Sequence, residues 1–140
     1  MYVAELTKRR YRGKTPKEIH GPDDVVGLVG KKLRKEKREN FLVLLLNARH
    51  EVMSVETVSV GSLNASIVHP REVFRSAVIQ SAASVVLVHN HPSGDPEPSA
   101  DDLRTTRDAV AAGRLLGVSV VDHVIIGAGR HVSLRERGAI

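Results

Sequence analysis

Two uninterrupted apolar runs constrain the fold of this chain more than any other feature of its sequence. They are FLVLLL at residues 41–46 and VVLV at residues 85–88. A strand with one face in solvent alternates apolar and polar residues, whereas a continuous apolar run is typical of a strand that is covered on both faces. We therefore expect a central sheet packed between helices.

The segments between these runs have helical patterns. Asp23 to about Lys35 begins with acidic residues and ends with basic ones, as a helix dipole favours. Proline at the first position and apolar residues at helical spacing predict a helix from Pro70. Further predicted elements are an edge strand at Tyr2–Leu6, strands at Glu51–Val60, Val118–Ile126 and His131–Leu134, and a helix from Ser99 to about Leu116, before Gly117. This alternation predicts the α/β class, with a mixed sheet between helices.

The composition excludes several kinds of site. Cysteine is absent from the 140 residues, which excludes disulfides, cysteine-ligated zinc and a thiol nucleophile. Any metal must then be held by His, Asp or Glu. No apolar run approaches the roughly 20 residues of a membrane span, and the first residues lack the apolar core of a signal peptide. We therefore expect a cytoplasmic protein with no membrane contact.

The net charge of +5 arises largely from two early clusters of basic residues. Such clusters attract nucleic acid without reading its sequence, or they form an ordinary solvated surface. We favour the solvated surface, because no zinc finger or RNA-recognition aromatic pair accompanies them. The first cluster comprises Lys8, Arg9, Arg10, Arg12, Lys14 and Lys17, and the second Lys31, Lys32, Arg34, Lys35, Lys37 and Arg38.

Two histidines end the second apolar run. His89 and His91 are two residues apart, so on a strand their side chains point to the same face. Open α/β sheets place ligands at such strand ends. A loop then leads to a predicted helix whose first turn contains Asp102. Two imidazoles and a carboxylate can form a zinc site with a fourth position left open.

A structural explanation also exists for the start of this helix. Ser99 and Asp102 have the spacing of a capping box, although Asp replaces the preferred Glu or Gln. The two explanations are compatible, because Ser99 can cap the helix while Asp102 binds a metal. His123, next to Asp122, is a further candidate near the site, but a buried, hydrogen-bonded strand histidine is the favoured interpretation.

Several separated motifs resemble one known family. The spacing from His89 and His91 to Ser99 and Asp102 resembles the JAMM (MPN+) metalloprotease motif. The string HNHPSGDPEPSADD resembles the bacterial RadC branch of that family, as do VGSLNAS at 60–66, HPREVF at 69–74 and DHVIIG at 122–127. The resemblance implies an α/β/α sandwich with a mixed, curved sheet (JAB/MPN-like) over residues 23–140, preceded by a basic arm at residues 1–22.

The resemblance also implies residue roles. His89, His91 and Asp102 correspond to the ligands of one Zn²⁺ per chain, and Ser99 corresponds to the serine that stabilises the oxyanion. The family also has a glutamate general base, for which Glu39 is the first choice and Glu56 the second. The implied activity is that of a zinc metallopeptidase that hydrolyses a peptide or isopeptide bond in a peptide or protein substrate.

Two other functions stay open at this point. The chain could be a nucleic-acid-associated protein of the DNA-repair type, with weak binding through the basic clusters. It could also be a catalytically silent docking scaffold with a JAMM-like fold. The apolar edge strands leave open whether two copies pair into a homodimer.

Overall fold

The structure is a computed structural model that describes residues 17–61 and 68–140. The strand expected at Tyr2–Leu6 lies outside the described residues. So do the first basic cluster up to Lys14, most of the motif at residues 60–66 and the loop expected at residues 62–64. In the parts that are described, no helix is long and apolar enough to cross a membrane.

The core of the fold is one five-stranded mixed sheet with the order β2-β1-β3-β4-β5. Strands β3 and β4 are parallel, and the other neighbouring pairs are antiparallel. The strands are β1 at Glu39–Leu46, β2 at Val52–Gly61, β3 at Ser84–Asn90, β4 at Ser119–Ile126 and β5 at His131–Ser133. All five strands were predicted from the sequence, and the predicted and observed bounds differ by no more than two residues.

The helices agree with the prediction except in the first one. That helix starts with α1 (Pro22–Val25), continues through a π-helical turn (Val26–Gly30) and ends with α2 (Lys31–Arg34). A regular α-helix was expected here, but Gly27 and Gly30, which weaken α-helix formation, lie within the wider turn. Helix α3 spans Pro70–Ile79, and α4 spans Ala100–Leu116.

Alternate residues of β1 enter two separate cores. Leu42, Leu44 and Leu46 pack with the residues of the first helical segment. Phe41, Val43 and Leu45 pack on the opposite face against α3 and α4. Residues 43–46 are completely buried, which explains why the run at residues 41–46 has no polar position. The expected α/β/α sandwich is confirmed.

The chain joins the sheet before the first helix begins. The amide of Ile19 donates to the carbonyl of His50 (2.8 Å), and the amide of Val52 donates to the carbonyl of Lys17 (2.8 Å). The Ile19 side chain is part of the core under α1 and α2. The division into an arm at residues 1–22 and a domain at 23–140 stays a prediction.

Candidate metal centre

Two neighbouring strands bring the first candidate residues together. Glu39 is the first residue of β1, and His89 is the next-to-last residue of β3. The antiparallel register pairs Phe41 with His89, so the start of β1 lies beside the end of β3. The Phe41 ring stacks on the His89 ring with 5.6 Å between centroids and forms an apolar wall behind it.

The loop after β3 fixes His91. Its amide donates to the carbonyl of Ile126 (2.9 Å), which continues the pairing with β4 for one residue. Its ring Nδ1 lies 2.8 Å from the carbonyl oxygen of Asp95. A carbonyl oxygen only accepts, so Nδ1 carries the proton and Nε2 of the neutral ring has a free lone pair.

The first turn of α4 supplies the carboxylate. The Asp102 amide donates to the Ser99 hydroxyl oxygen (3.1 Å), and the Ser99 amide donates to Asp102 Oδ2 (2.8 Å). Both bonds of a capping box are therefore present, as the spacing predicted. The cap uses the Ser99 oxygen as an acceptor and leaves its hydroxyl proton free to donate elsewhere.

The donor atoms of four side chains converge on one point. One ligand atom from each of Glu39, His89, His91 and Asp102 lies within 4.8 Å of the other three. His89 Nε2 is 3.0 Å from His91 Nε2, 3.2 Å from Asp102 Oδ1 and 3.4 Å from Glu39 Oε1. Ligands about 2.05 Å from a tetrahedral zinc ion are separated by about 3.3 Å. The observed spacing therefore fits the donor set of such an ion.

The electrostatics of the cluster favour positive charge. The pKa of His91 is raised above its ordinary value, mainly by the hydrogen bond that the charged ring makes with Asp102, although burial opposes this. Burial alone would raise the pKa of Asp102, but the attraction of its carboxylate to His89 and His91 outweighs burial and holds that pKa well below its usual range. Facing imidazole lone pairs beside a carboxylate are stabilised by a cation between them.

The structure separates the two candidate glutamates. Glu39 is in the cluster, and its side chain is 25% exposed, so it is accessible from solvent. Glu56 lies in the middle of β2, where it accepts a hydrogen bond from Gln80 Nε2 at the end of α3 (3.2 Å). The geometry thus selects Glu39 as the carboxylate beside the histidines, while its role as general base stays a prediction.

Asn90, between the two histidines, holds the backbone on both sides of Glu39. Its Oδ1 accepts from the amide of Asn40 (2.7 Å), and its Nδ2 donates to the carbonyl of Arg38 (3.1 Å). The sequence pattern does not predict this function. Its sequence signal is an amide side chain that lies between the two histidines, just after the apolar run at residues 85–88.

His123 lies directly behind His89. It is completely buried, as predicted, and its Nε2 is 2.7 Å from His89 Nδ1. Burial lowers the pKa of His123 well below its ordinary value, so the ring is neutral. Its Nδ1 contacts the Thr106 hydroxyl (2.6 Å). Thr106 was missed in the sequence, although it lies one helical turn after Asp102 on the same face of α4.

Comparison with known proteins shows the family of this chain. The family model described as "RadC-like JAB domain" matches residues 19–139. The chain belongs to the RadC-like JAB domain family. A UPF0758 protein of Methanosarcina mazei is 49% identical over 140 residues, which are 99% of this chain and 61% of that protein.

Two further relatives also match most of this chain with about half of their own length. A UPF0758 protein of Caldanaerobacter subterraneus subsp. tengcongensis is 52% identical over 86% of this chain and 52% of its own length. A UPF0758 protein of Alkaliphilus metalliredigens is 54% identical over 85% of this chain and 51% of its own. This RadC-like JAB domain therefore spans about half to three fifths of the length of these curated relatives.

Proposed function

We propose that this RadC-like JAB domain is a zinc-dependent hydrolase that cleaves a peptide or isopeptide bond in a protein substrate. The observation that supports it most strongly is the convergence of Glu39, His89, His91 and Asp102, with one donor atom from each within 4.8 Å of the others. His89, His91 and Asp102 would hold the zinc ion. A bound zinc ion would act as a Lewis acid toward the carbonyl group of the substrate and make water a better nucleophile.

The residues of the chain supply the proton transfers. In the proposed reaction Glu39 accepts a proton from the attacking water as the new C–O bond forms. The Glu39 carboxylic acid then gives this proton to the nitrogen when the C–N bond breaks, so that an amine leaves. The Ser99 hydroxyl, whose proton the cap does not use, donates a hydrogen bond to the carbonyl oxygen of the substrate as that oxygen becomes negatively charged.

A groove next to His91 offers space for a polypeptide. Its volume is about 320 Å³, and it lies between the end of α2, the loop after β3 and the turn at residues 127–129. Three glycines, Gly94, Gly127 and Gly129, are among the residues that line it.

The test compares three forms of the chain, each loaded with one equivalent of zinc. Wild type, Glu39→Gln and Glu56→Gln are incubated with a peptide library and with isopeptide-linked peptides, and new termini are identified by mass spectrometry. We expect wild type and Glu56→Gln to produce the same cleavage products. Glu39→Gln should bind zinc but lose at least about 100-fold in rate, as expected on removal of a general base.

The matched variants make the result specific. Products that appear equally with Glu39→Gln would come from a contaminating protease. If wild type holds zinc and forms no products, the hydrolase proposal is wrong and the scaffold interpretation replaces it.

A specific observation also favours the nucleic-acid alternative. The second basic cluster is exposed at every one of its six positions, and it leads directly into Glu39. Binding of labelled duplex and single-stranded DNA, measured between 50 mM and 200 mM salt, tests this alternative. A Kd that weakens steeply with salt, and weakens further when Lys31, Lys32 and Lys35 are replaced together with Gln, would support it.

A further inference from the structure

His89 has protein groups at both ring nitrogens. Its side chain is 1% exposed, with Nε2 toward the four-residue cluster and Nδ1 toward His123. A neutral imidazole has a proton on one nitrogen and a lone pair on the other. Only the form with the proton on Nδ1 presents a lone pair to a metal in the cluster, so the tautomer of His89 decides whether this ligand is available.

The direction of the hydrogen bonds behind His89 is set by a backbone carbonyl. The Thr106 hydroxyl donates to the carbonyl oxygen of Asp102 (2.8 Å), which can only accept. Since the hydroxyl has a single proton, Thr106 must accept from Nδ1 of His123 (2.6 Å). The His123 ring is 0% exposed and its two nitrogens contact His89 and Thr106, neither of which carries a negative charge, so burial favours the neutral ring. Its Nε2 then carries a lone pair, which accepts from Nδ1 of His89 (2.7 Å).

We propose that Thr106 and His123 are positioning residues that keep the proton of His89 on Nδ1 and its Nε2 lone pair directed at the metal. This inference rests on the proposed metal site and adds how that site is prepared before metal binds. Hydrogen bonds to the outer nitrogen of a ligating histidine usually involve a carboxylate, a backbone carbonyl or water. Here a second histidine and a threonine connect His89 to a carbonyl.

The hydrogen-bond chain also couples two ligands. It begins at His89 on β3 and ends at the backbone of Asp102, whose side chain belongs to the same cluster. The orientation of the His89 ring is therefore tied to the first turn of α4. The two residues that connect His89 to Asp102 are buried, since His123 and Thr106 are both 0% exposed. Water is excluded as a substitute partner.

The chain provides a matched pair of variants. Thr106→Val removes the hydroxyl but keeps the shape of the side chain, whereas Thr106→Ser keeps the hydroxyl and removes the methyl group. Thr105→Val makes the same change at the neighbouring, half-buried position of α4. Thermal unfolding followed by circular dichroism verifies that each variant is folded at the assay temperature.

The first readout requires no metal and no substrate. Long-range ¹H–¹⁵N NMR spectra of the metal-free protein at pH 8 report which nitrogen of each histidine carries the proton. We expect His89 to be protonated on Nδ1 in wild type, Thr106→Ser and Thr105→Val, and to be a mixture of tautomers in Thr106→Val. A wild-type His89 with its proton on Nε2 would overturn the inference.

The second readout is zinc affinity, measured by competition with a chromophoric chelator. We expect Thr106→Val to bind zinc about 10- to 100-fold more weakly than wild type, as for other outer hydrogen-bond partners of ligands. Thr106→Ser should recover most of this loss, and Thr105→Val should not differ from wild type. Equal zinc affinity of Thr106→Val and wild type would also refute the inference. If wild type binds no zinc, the proposed function fails, and the NMR result alone decides the tautomer.

Discussion

Replacing Asn90 with alanine tests how the position of Glu39 is maintained. The variant removes the acceptor of the Asn40 amide, which is buried in β1 at 9% exposure. The carbonyl of Arg38 keeps its second partner, because Asn40 Nδ2 also donates to it (2.9 Å). The main cost is therefore one unpaired buried N–H group, about 1–3 kcal/mol of the free energy of unfolding.

Amide hydrogen exchange measures this cost at a single residue. A loss of about 1–3 kcal/mol corresponds to exchange that is about 5- to 150-fold faster for the Asn40 amide, if it opens locally. The Leu44 amide in the centre of β1 should change less. If Asn40 exchange in the variant accelerates no more than that of Leu44, Asn90 does not hold the backbone beside Glu39.

A control variant separates stability from site geometry. Asn47→Ala removes the side-chain acceptor of two amides, Arg49 and Glu51, in the turn between β1 and β2. We expect it to lower the free energy of unfolding without affecting zinc affinity or turnover. Asn90→Ala should retain zinc affinity, because the ligands are other residues, and should lower kcat because Glu39 is no longer held.

The remaining predictions concern the loop after β3, the helix cap and the buried histidine. Gly127→Ala would place a methyl group 2.5 Å from the carbonyl oxygen of Gly94, so the loop must shift; we expect weaker zinc binding in a chelator titration, and unchanged affinity would contradict this. Ser99→Ala should lower the free energy of unfolding by about 1 kcal/mol in urea denaturation, while Ser99→Gly costs only a few tenths; both should lose similar turnover, because both lack the hydroxyl. The pKa of His123 is lowered in the folded state, so the stability that its neutral form contributes is fully present above pH 6.5 and is lost as the pH falls below 6.5. In metal-free protein, wild type should lose up to about 1.4 kcal/mol per pH unit more than His123→Gln in that range, and parallel pH profiles would refute the assignment.

The fold was predictable because its main determinants are local in the sequence. The apolar runs at residues 41–46 and 85–88 each predict a strand covered on both faces. Pro70 and Ser99 mark the starts of α3 and α4 in the sequence. The π-helical turn at Val26–Gly30 was not predictable in this way. Its two glycines signal a weak helix, but the packing of Val29 and Leu33 on the sheet keeps the segment helical.

The site was predictable only for residues that lie close to one another in the sequence. The period of a strand places His89 and His91 on one face, and the capping box places Asp102 in the first turn of α4. The choice between Glu39 and Glu56 depends on the register of β1 with its neighbours, which the sequence does not define. The contacts of Asn90 with the start of β1, 50 residues away, arise from tertiary packing alone.

Metal content is the most direct measurement of the central claim. The chain would be purified without added metal and analysed for zinc by elemental analysis, beside His89→Ala and beside His131→Ala, a control histidine in β5 outside the cluster. We expect about one zinc ion per chain in wild type and His131→Ala, and none in His89→Ala. Wild-type protein that contains no zinc and takes up none on titration would contradict the central claim.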